Sequence, residues 1–253
     1  MDLNSPLINL VIPCAGAGAR SGMAKPKQYA IVANKPMVVH TLESLLQVNK
    51  IQNICLVVSP RDEFIEEILT KYALSNESRI RVLFEGGESR AHSVLAGLKF
   101  FSDKGFGEDG WILVHDAARC LITPELVELL IQKCSLDSVG GLLAIPLADT
   151  LKESIEGRVC LTASRDNKWL AQTPQMFKLG VLTNALKNAL LTNPGSITDE
   201  ASALEAIGLN PLLIEGASTN FKITYPHDFE LAQALLNHRS QKILDSNQAF
   251  KRV

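Results

Sequence analysis

The residues with the clearest chemical potential follow the first apolar run of the chain. The segment CAGAGARSGMAKPKQY, residues 14–29, combines small side chains with three cations, Arg20, Lys25 and Lys27. Small residues let a ligand approach the backbone, and consecutive N–H groups can form an anion-binding concavity. We interpret the segment as a phosphate-binding loop. An ordinary flexible loop would explain the small residues but not the placement of Arg20 and Lys27.

Two familiar nucleotide-binding motifs are not completed by this loop. Gly16 and Gly22 are separated by five residues, so the G-x-x-x-x-G-K-[ST] motif of nucleoside triphosphatases is absent. The dinucleotide motif G-x-G-x-x-G is met only in part, because Ser21 stands where the third glycine or alanine belongs. A dinucleotide-dependent oxidoreductase is therefore less favoured, although it stays open at this point.

The elements that would position the loop alternate between strand and helix. Apolar runs typical of strands buried on both faces lie at 7–12, 53–59, 80–85, 111–115 and 140–146. Segments with helical spacing lie between them, at 37–47, 61–72, 88–101 and 124–134. This alternation predicts an α/β fold, a Rossmann-like and mostly parallel sheet with helices on both faces. The loop would follow the first strand, where such sheets bind ligands.

The alternation of strand and helix stops at residues 147–172, where polar and apolar residues alternate around a Glu-Gly turn at 156–157. This pattern predicts a projecting β-arm, and because a two-stranded ribbon is marginal alone, we expect it to pack against a second copy in a homodimer. Beyond the arm we expect helices at 178–191, 199–207 and 226–239, strands at 211–215 and 221–224, and a polar tail after Leu235. Residues 1–253 are predicted to form a single domain that carries the arm.

Composition narrows the possible partners. The chain has 253 residues, of which 46% are hydrophobic. Its formal net charge is −2, so its overall charge does not attract it to nucleic acid or to an anionic membrane. Its five cysteines are irregularly spaced without a C-x-x-C pair, which favours a reduced protein without a structural metal. No apolar run approaches the roughly 20 residues that span a bilayer, and the start of the chain does not look like a signal peptide. We expect a cytoplasmic protein that does not bind membranes.

Seven segments together resemble a known family. In order they are PCAGAGARSGMAKPKQY, GGESRAHSVLAGL, VHDAARC, PLADTLK, QTPQMF, ITDEASALE and FKIT, spread from about Leu7 to Leu235. They are similar to the 2-C-methyl-D-erythritol 4-phosphate cytidylyltransferases of the non-mevalonate isoprenoid pathway. The resemblance implies that the chain joins CTP to methylerythritol phosphate, releases pyrophosphate and forms a CDP-alditol. It also implies a Mg2+ cofactor and a homodimer with interlocking arms.

The resemblance assigns one group of residues to the nucleotide. Residues that would wrap the CTP phosphates are Pro13, Cys14, Ala15, Gly16 and Gly18, and those for the base and ribose are Gly87, Glu88, Ser93 and Ala117. Arg20 and Lys27 would stabilise the transferring α-phosphate, which suits a step whose transition state gains negative charge. Asp116 would lie near the metal, a role that suits a carboxylate oxygen. Relatives often carry Asp where Glu88 stands and Pro where Cys120 stands.

A second group is assigned to the acceptor substrate. By resemblance it comprises Arg119, Thr150, Arg165, Thr173, Thr198 and Lys222. Thr150 and Arg165 match arm positions that reach across the dimer to the partner's site, and arginine suits a phosphomonoester because its planar fork donates two parallel hydrogen bonds. No Ser-His-Asp or Cys-His set is indicated, and the reaction that the resemblance implies would need none, because its attacking group would be a phosphate oxygen.

Local structural roles compete with several of these assignments. Glu88 or Ser89 could cap the following helix, Thr198 could cap a later one, and Asp116 could cap a turn. His115 is more typical of a hydrogen-bonded structural histidine than of a base. Two alternatives to the proposed reaction also stay open: a cytidylyltransferase for ribitol 5-phosphate or another alditol phosphate, and a nucleotide-binding module without catalysis.

Overall fold

The computed structural model describes residues 8–16, 26–193, 195 and 197–250, without the side chains of residues 243, 244 and 246–250. The strands are β1 (Ile8–Pro13), β2 (Ile31–Val32), β3 (Lys35–Pro36), β4 (Ile51–Val57), β5 (Ile80–Leu83), β6 (Trp111–Val114), β7 (Gly140–Pro146), β8 (Leu151–Ile155), β9 (Arg158–Ala163), β10 (Trp169–Lys178) and β11 (Leu212–Glu215). The helices are α1 (Met37–Leu45), α2 (Ile65–Lys71), α3 (Arg90–Asp103), α4 (Pro124–Cys134), α5 (Leu179–Thr192), α6 (Glu200–Glu205) and α7 (Pro226–Phe250).

A seven-stranded sheet organises the described residues, in the order β11-β7-β10-β6-β1-β4-β5. All neighbours are parallel except around β10, which runs antiparallel to both β6 and β7. The prediction of a mostly parallel sheet is therefore confirmed. The position of β10 was not predicted, because its first residues, 169–172, had been assigned to the arm.

Side chains alternate between two cores because successive residues of a strand face opposite sides of the sheet. Leu10 of β1 packs in a cluster with apolar residues of α1, α2 and α4. Its neighbour Val11 packs in a second cluster with α3, α5 and α6. The expected helices on both faces are thus present, and the buried β1 leads directly into the start of the loop that was predicted to bind phosphate.

The arm contains the ribbon formed by β8 and β9, which pair antiparallel. Its turn residues Glu156 and Gly157 have φ angles of 50° and 77°, and two positive values favour a twist that matches a two-residue hairpin. Within the arm, Leu147 N donates to Lys168 O at 2.9 Å, which closes its base. The ribbon therefore emerges between β7 and β10.

Three predicted elements differ from those observed. Residues 221–224 do not form a strand, because Ile223 bonds through its N–H to Ala118 O at 3.0 Å, in a loop beside the sheet. The helix predicted at 61–72 begins only at Ile65, because Oδ1 of Asp62 accepts hydrogen bonds from Phe64 N and Ile65 N and forms a turn before it. The supposed polar tail is helical, since α7 continues to Phe250. Among the described residues, no helix combines the length and apolar character needed to cross a membrane.

Candidate active site

A cavity of about 620 Å³ opens where β1 and β6 end at their carboxyl edge. Its lining includes eleven residues predicted for the site: Pro13, Cys14, Ala15, Gly16, Lys27, Gly87, Glu88, Ser93, Asp116, Ala117 and Lys222. Ligands of open α/β sheets bind at this edge. A larger cavity of about 730 Å³, lined by residues of α1, α4 and α7, contains none of the predicted site residues, so size alone does not identify the site.

Two loops approach each other closely at one wall of the cavity. Cys14 N donates to Val57 O at 2.7 Å, and Gly86 N donates to Val58 O at 2.8 Å. A Cβ atom at position 86 would lie 2.2 Å from Cβ of Ala15 and 2.6 Å from Val58 O. Gly86 is therefore required for this close approach, because the backbone atom it would meet cannot move aside.

Lys27 is held over the cavity by its neighbours. It begins a 3-10 turn, Lys27–Tyr29, and its Nζ donates to Ile223 O at 2.5 Å. Gln28 Nε2 donates to Cys14 O at 2.7 Å, which ties the turn to the start of the predicted phosphate-binding loop. Gln28 also lines the cavity, and no motif in the sequence indicated a role for it. Arg20 and Gly18, both predicted for the phosphates, lie outside the described residues.

Cys14 contributes its backbone to the loop and not a reactive thiol. The side chain is 2% exposed. Burial, with a smaller contribution from the charge of Asp62, raises the pKa of the Cys14 thiol well above its ordinary value. A thiol in this state is a poor nucleophile.

Asp116 forms the centre of a charged cluster. Its Oδ1 accepts a hydrogen bond from Arg90 Nε at 2.8 Å, and its Oδ2 accepts one from Lys222 Nζ at 2.7 Å. Thr173 Oγ1 accepts from Asp116 N at 3.1 Å. Burial alone would raise the pKa of Asp116, but attraction to Arg90 and Lys222 outweighs burial and holds the pKa far below its usual range. The carboxylate is therefore ionised at neutral pH.

Arg90 is also bound to a second carboxylate. Its Nη1 and Nη2 donate to Oε1 and Oε2 of Glu200 at 2.6 and 3.0 Å, across 110 residues of sequence. Glu200 is fully buried. In the sequence this glutamate has only the pattern of an acid in the first turn of a helix, and nothing in that local pattern indicates an arginine partner.

His115 and Thr173 form hydrogen bonds next to the charged cluster around Asp116. The His115 side chain is buried and contacts Thr173 Oγ1 through Nδ1 at 3.0 Å and Arg119 O through Nε2 at 3.2 Å. Burial lowers the pKa of His115 to about 4, so the ring is neutral at physiological pH. The expected structural histidine is confirmed. Asp116 closes the following turn through its backbone, since Arg119 N donates to Asp116 O at 3.0 Å, while both of its carboxylate oxygens are in ion pairs.

The predicted base-binding segment is internally hydrogen-bonded. Gly87 N donates to Ser93 Oγ at 3.2 Å, and Ser93 Oγ donates to Ser89 O at 3.1 Å. Ser89 caps α3, since its side chain accepts from His92 N. The capping role expected for Glu88 or Ser89 therefore belongs to Ser89. Ser93 and Glu88 still line the cavity.

Five predicted substrate residues do not line the cavity of this single chain: Arg119, Thr150, Arg165, Thr173 and Thr198. Arg119 donates to Asn220 O at 2.8 Å and to Ala171 O at 3.1 Å. Thr173 does not face the cavity, and its Oγ1 accepts a hydrogen bond from Asp116 N.

The other three of these residues lie away from the cavity. Thr150 is exposed in the arm, where Arg165 donates to Ala148 O. Thr198 precedes α6, but the capping residue is Asp199, whose Oδ1 accepts from Ser202 N at 2.9 Å.

Comparison with known proteins identifies the family of the chain. A sequence profile described as "IspD: 2-C-methyl-D-erythritol 4-phosphate cytidylyltransferase" matches residues 8–238. The chain is 51% identical over 231 residues to the bifunctional enzyme IspD/IspF of Albidiferax ferrireducens, a match that covers 91% of this chain and 53% of that protein. It therefore spans about half of that relative. It is 44% identical to the 2-C-methyl-D-erythritol 4-phosphate cytidylyltransferase of Chromobacterium violaceum, covering 91% of this chain and 98% of the relative.

Solved structures of similar sequence share the fold. The crystal structure of a 4-diphosphocytidyl-2C-methyl-D-erythritol synthase aligns with a TM-score of 0.79 and 36% identity, over 93% of this chain and 100% of the other. The Francisella tularensis 2-C-methyl-D-erythritol 4-phosphate cytidylyltransferase aligns with a TM-score of 0.75 and 32% identity, over 89% of this chain and 97% of the other. The chain belongs to the 2-C-methyl-D-erythritol 4-phosphate cytidylyltransferase family, and it is a nucleotidyltransferase.

Proposed function

We propose that this chain transfers the cytidylyl group of CTP to 2-C-methyl-D-erythritol 4-phosphate and releases pyrophosphate, in the synthesis of isoprenoid precursors. One observation supports the proposal above all. The cavity at the carboxyl edge of the sheet combines a loop of small residues with Lys27, Asp116 and Lys222. A triphosphate needs backbone N–H groups and fixed cations, and this cavity supplies both kinds of group.

The reaction needs positioning and charge more than a protein nucleophile. An oxygen of the acceptor phosphate attacks the α-phosphorus of CTP, and the bond from that phosphorus to the pyrophosphate oxygen breaks. Lys27 offers its ammonium group to the α-phosphate, where negative charge increases in the transition state. Arg20 is proposed for the same task. The buried Cys14 and the neutral His115 need take no part in covalent chemistry.

Asp116 and Lys222 are proposed to organise the acceptor side of the cavity. Lys222 Nζ lies 2.7 Å from Asp116 Oδ2 and its side chain is 40% exposed, so the ammonium group is bound to the carboxylate and accessible at the same time. A phosphate or hydroxyl group of the acceptor can therefore accept a hydrogen bond from Lys222. We assign a structural role in this region to Thr173, which accepts a hydrogen bond from Asp116 N, and to Arg119, which donates one to Ala171 O.

Mg2+ is the cofactor that we propose. Among the described residues no three His, Cys, Asp or Glu side chains are grouped as a metal site. Mg2+ is usually held by one or two carboxylates together with substrate phosphates. The ionised Asp116 lines the cavity and would offer such a carboxylate to an ion that arrives with a nucleotide, in exchange for the bond of its Oδ2 to Lys222. Asp116 is the residue that would hold it. When bound, the ion would neutralise part of the triphosphate charge.

The arm supports the proposal of a homodimer. Ile155 and Val159 of the ribbon are 68% and 64% exposed, and Leu161 is 47% exposed. Ile155 is paired with Arg158 and Val159 with Ser154, so the two apolar side chains lie on opposite faces of the ribbon. Exposed apolar side chains on both faces of a narrow ribbon indicate that another protein covers it. We propose that a second copy covers it, and that Thr150 and Arg165 of the arm serve the partner's acceptor site.

The double variant Ile155→Lys/Val159→Lys is expected to convert a dimer into a monomer, because it places charges on the apolar ribbon. Light scattering coupled to size-exclusion chromatography would measure the mass. Leu191→Lys is the matched control, since Leu191 is 84% exposed but lies on α5. A wild-type protein that elutes as a monomer, or a double variant that remains a dimer, would contradict the proposal.

We propose the cytoplasm as the location. All five cysteines carry free thiols, and four of them are buried: Cys14, Cys55, Cys120 and Cys134. Buried free thiols are compatible with a reducing compartment. The substrates that we propose are also small metabolites and not components of a membrane.

Pyrophosphate release with CTP and Mg2+ tests the reaction directly. We expect turnover with methylerythritol 4-phosphate as acceptor, at least about tenfold faster than with ribitol 5-phosphate, a difference of about 1.4 kcal/mol in transition-state binding. ATP in place of CTP is the control for the base. Preference for ribitol 5-phosphate would retain cytidylyl transfer and change the acceptor. CTP binding without turnover of either acceptor would indicate a binding module and contradict the proposal.

A further inference from the structure

Arg90 occupies a position that disfavours a cation unless carboxylates surround it. It is the first residue of α3, where the helix macrodipole opposes positive charge. Two carboxylates from distant parts of the chain offset this effect. Arg90 Nε donates to Asp116 Oδ1 at 2.8 Å, and both Nη atoms donate to Glu200. Three of the five N–H groups of the guanidinium are therefore engaged in a fixed plane.

Glu200 is itself held by the central sheet. Gln175 of β10 donates from Nε2 to Asp199 Oδ2 at 2.8 Å, and its Oε1 accepts from Ala201 N at 2.8 Å. These contacts fix the residues on both sides of Glu200 in the chain. Gln175 is 1% exposed and Glu200 is fully buried, so water does not compete for these bonds. The position of the Glu200 carboxylate thus follows from the position of β10.

We propose that Arg90 and Glu200 are positioning residues for Asp116, an inference that rests on the proposed function of the cavity. Glu200 sets the plane of the Arg90 guanidinium, and Arg90 Nε then fixes Oδ1 of Asp116. The other oxygen, Oδ2, is left to Lys222. In this arrangement Arg90 acts on the reaction through Asp116, although its side chain also lies at the cavity wall.

Steady-state kinetics of Arg90→Lys and Glu200→Gln separate positioning from direct contact. Lysine keeps the charge but cannot bond to both carboxylates in one plane, and glutamine keeps the shape but loses one acceptor. We expect kcat to fall by about 10- to 100-fold in both variants while KM for CTP changes less than about threefold. Arg79→Lys is the matched control, because Arg79 pairs with Glu77 at 3.3 Å outside the cavity.

Two kinetic outcomes would overturn the proposal. A variant that unfolds at a lower temperature but keeps kcat within about twofold would show that the pair has only a structural role. An Arg90→Lys variant with the kcat of the wild type and a KM for CTP more than about tenfold higher would show that Arg90 binds the nucleotide directly.

Thermal unfolding gives a measurement that does not depend on turnover, so failure of the proposed reaction would not hide the result. Asp116 and Glu200 are both bound to Arg90 and so should be coupled through it. We expect the shifts in unfolding temperature for Asp116→Asn and Glu200→Gln to be non-additive by about 2–4 °C. In an Arg90→Met background the coupling through arginine should be lost, which leaves only the direct repulsion between the two carboxylates. Additive shifts with Arg90 present would contradict the proposal.

A double variant guards against loss of the fold. Arg90→Met/Glu200→Leu removes both charges, and apolar replacements of a buried ion pair are often tolerated. We expect this variant to fold and to lose at least as much kcat as Glu200→Gln. A folded double variant with the kcat of the wild type would overturn the proposal.

Discussion

Replacing Lys27 with alanine is expected to lower kcat for pyrophosphate release by about 100- to 1,000-fold, the range found when one preorganised donor to a transition state is removed. The ammonium group is held by Ile223 O, and the turn that carries it is tied to Cys14 O by Gln28. Its position is therefore fixed before a ligand binds. Because the charge of the α-phosphate grows during the reaction, we expect a smaller change, less than about tenfold, in KM for CTP.

Single-turnover and steady-state kinetics at saturating CTP would measure this effect. Lys133→Ala is the matched control, because Lys133 is an exposed lysine of α4 that does not line the cavity. A Lys27→Ala enzyme with unchanged kcat and a raised KM would assign Lys27 to ordinary substrate binding. That result would contradict its proposed role at the transition state.

Asp116→Asn should impair both catalysis and stability. Asparagine keeps the shape but removes the charge that binds Arg90 and Lys222, so we expect kcat to fall about 100-fold or more. The stability loss should be about 1–3 kcal/mol. This loss of stability is smaller than the loss expected when one member of an isolated buried ion pair is removed. Arg90 keeps its bonds to Glu200, and the side chain of Lys222 is 40% exposed.

Urea unfolding at several pH values would test the stability change and its sign. The pKa of Asp116 is lower in the folded protein than in the unfolded chain. Its stabilising contribution is therefore complete above an unfolded pKa of about 3.9 and is lost as the pH falls toward the lower folded value. The wild type and Asp116→Asn should differ most at neutral pH and converge in acid. Asp103→Asn, an exposed acid of α3, should show no such difference.

Local patterns in the sequence were sufficient for most of the parallel sheet. The apolar runs that became β1, β4 and β6 are continuous because both of their faces are buried. The same reasoning placed the phosphate-binding loop and Asp116 at the carboxyl edge, since parallel strands end on one side of a sheet. The Glu156-Gly157 turn was found because glycine favours a positive φ angle, although Glu156, whose residue type does not, also has a positive φ of 50°.

Features that depend on distant pairing could not be predicted in this way. β10 reads locally as a continuation of the arm, and only its bonds to β6 and β7 reveal that it belongs to the sheet. Residues 221–224 have strand composition but bond to loops around Ala118. Glu200 has the sequence pattern of an exposed residue in a first helical turn, and its burial follows from Arg90, which is 110 residues away.

The central place of β10 also determines the order in which a growing chain can assemble this sheet. β6, β1, β4 and β5 are adjacent in the sheet and lie within residues 8–114, so they can pair as soon as they have left the ribosome. β7 cannot join them, because β10 separates it from β6. At elongation rates of about 5–20 residues per second, synthesis of residues 147–178 takes a few seconds. During that interval β7 has no partner in the sheet. The charged cluster around Asp116 can form only later, because Glu200 and Lys222 must first be synthesised.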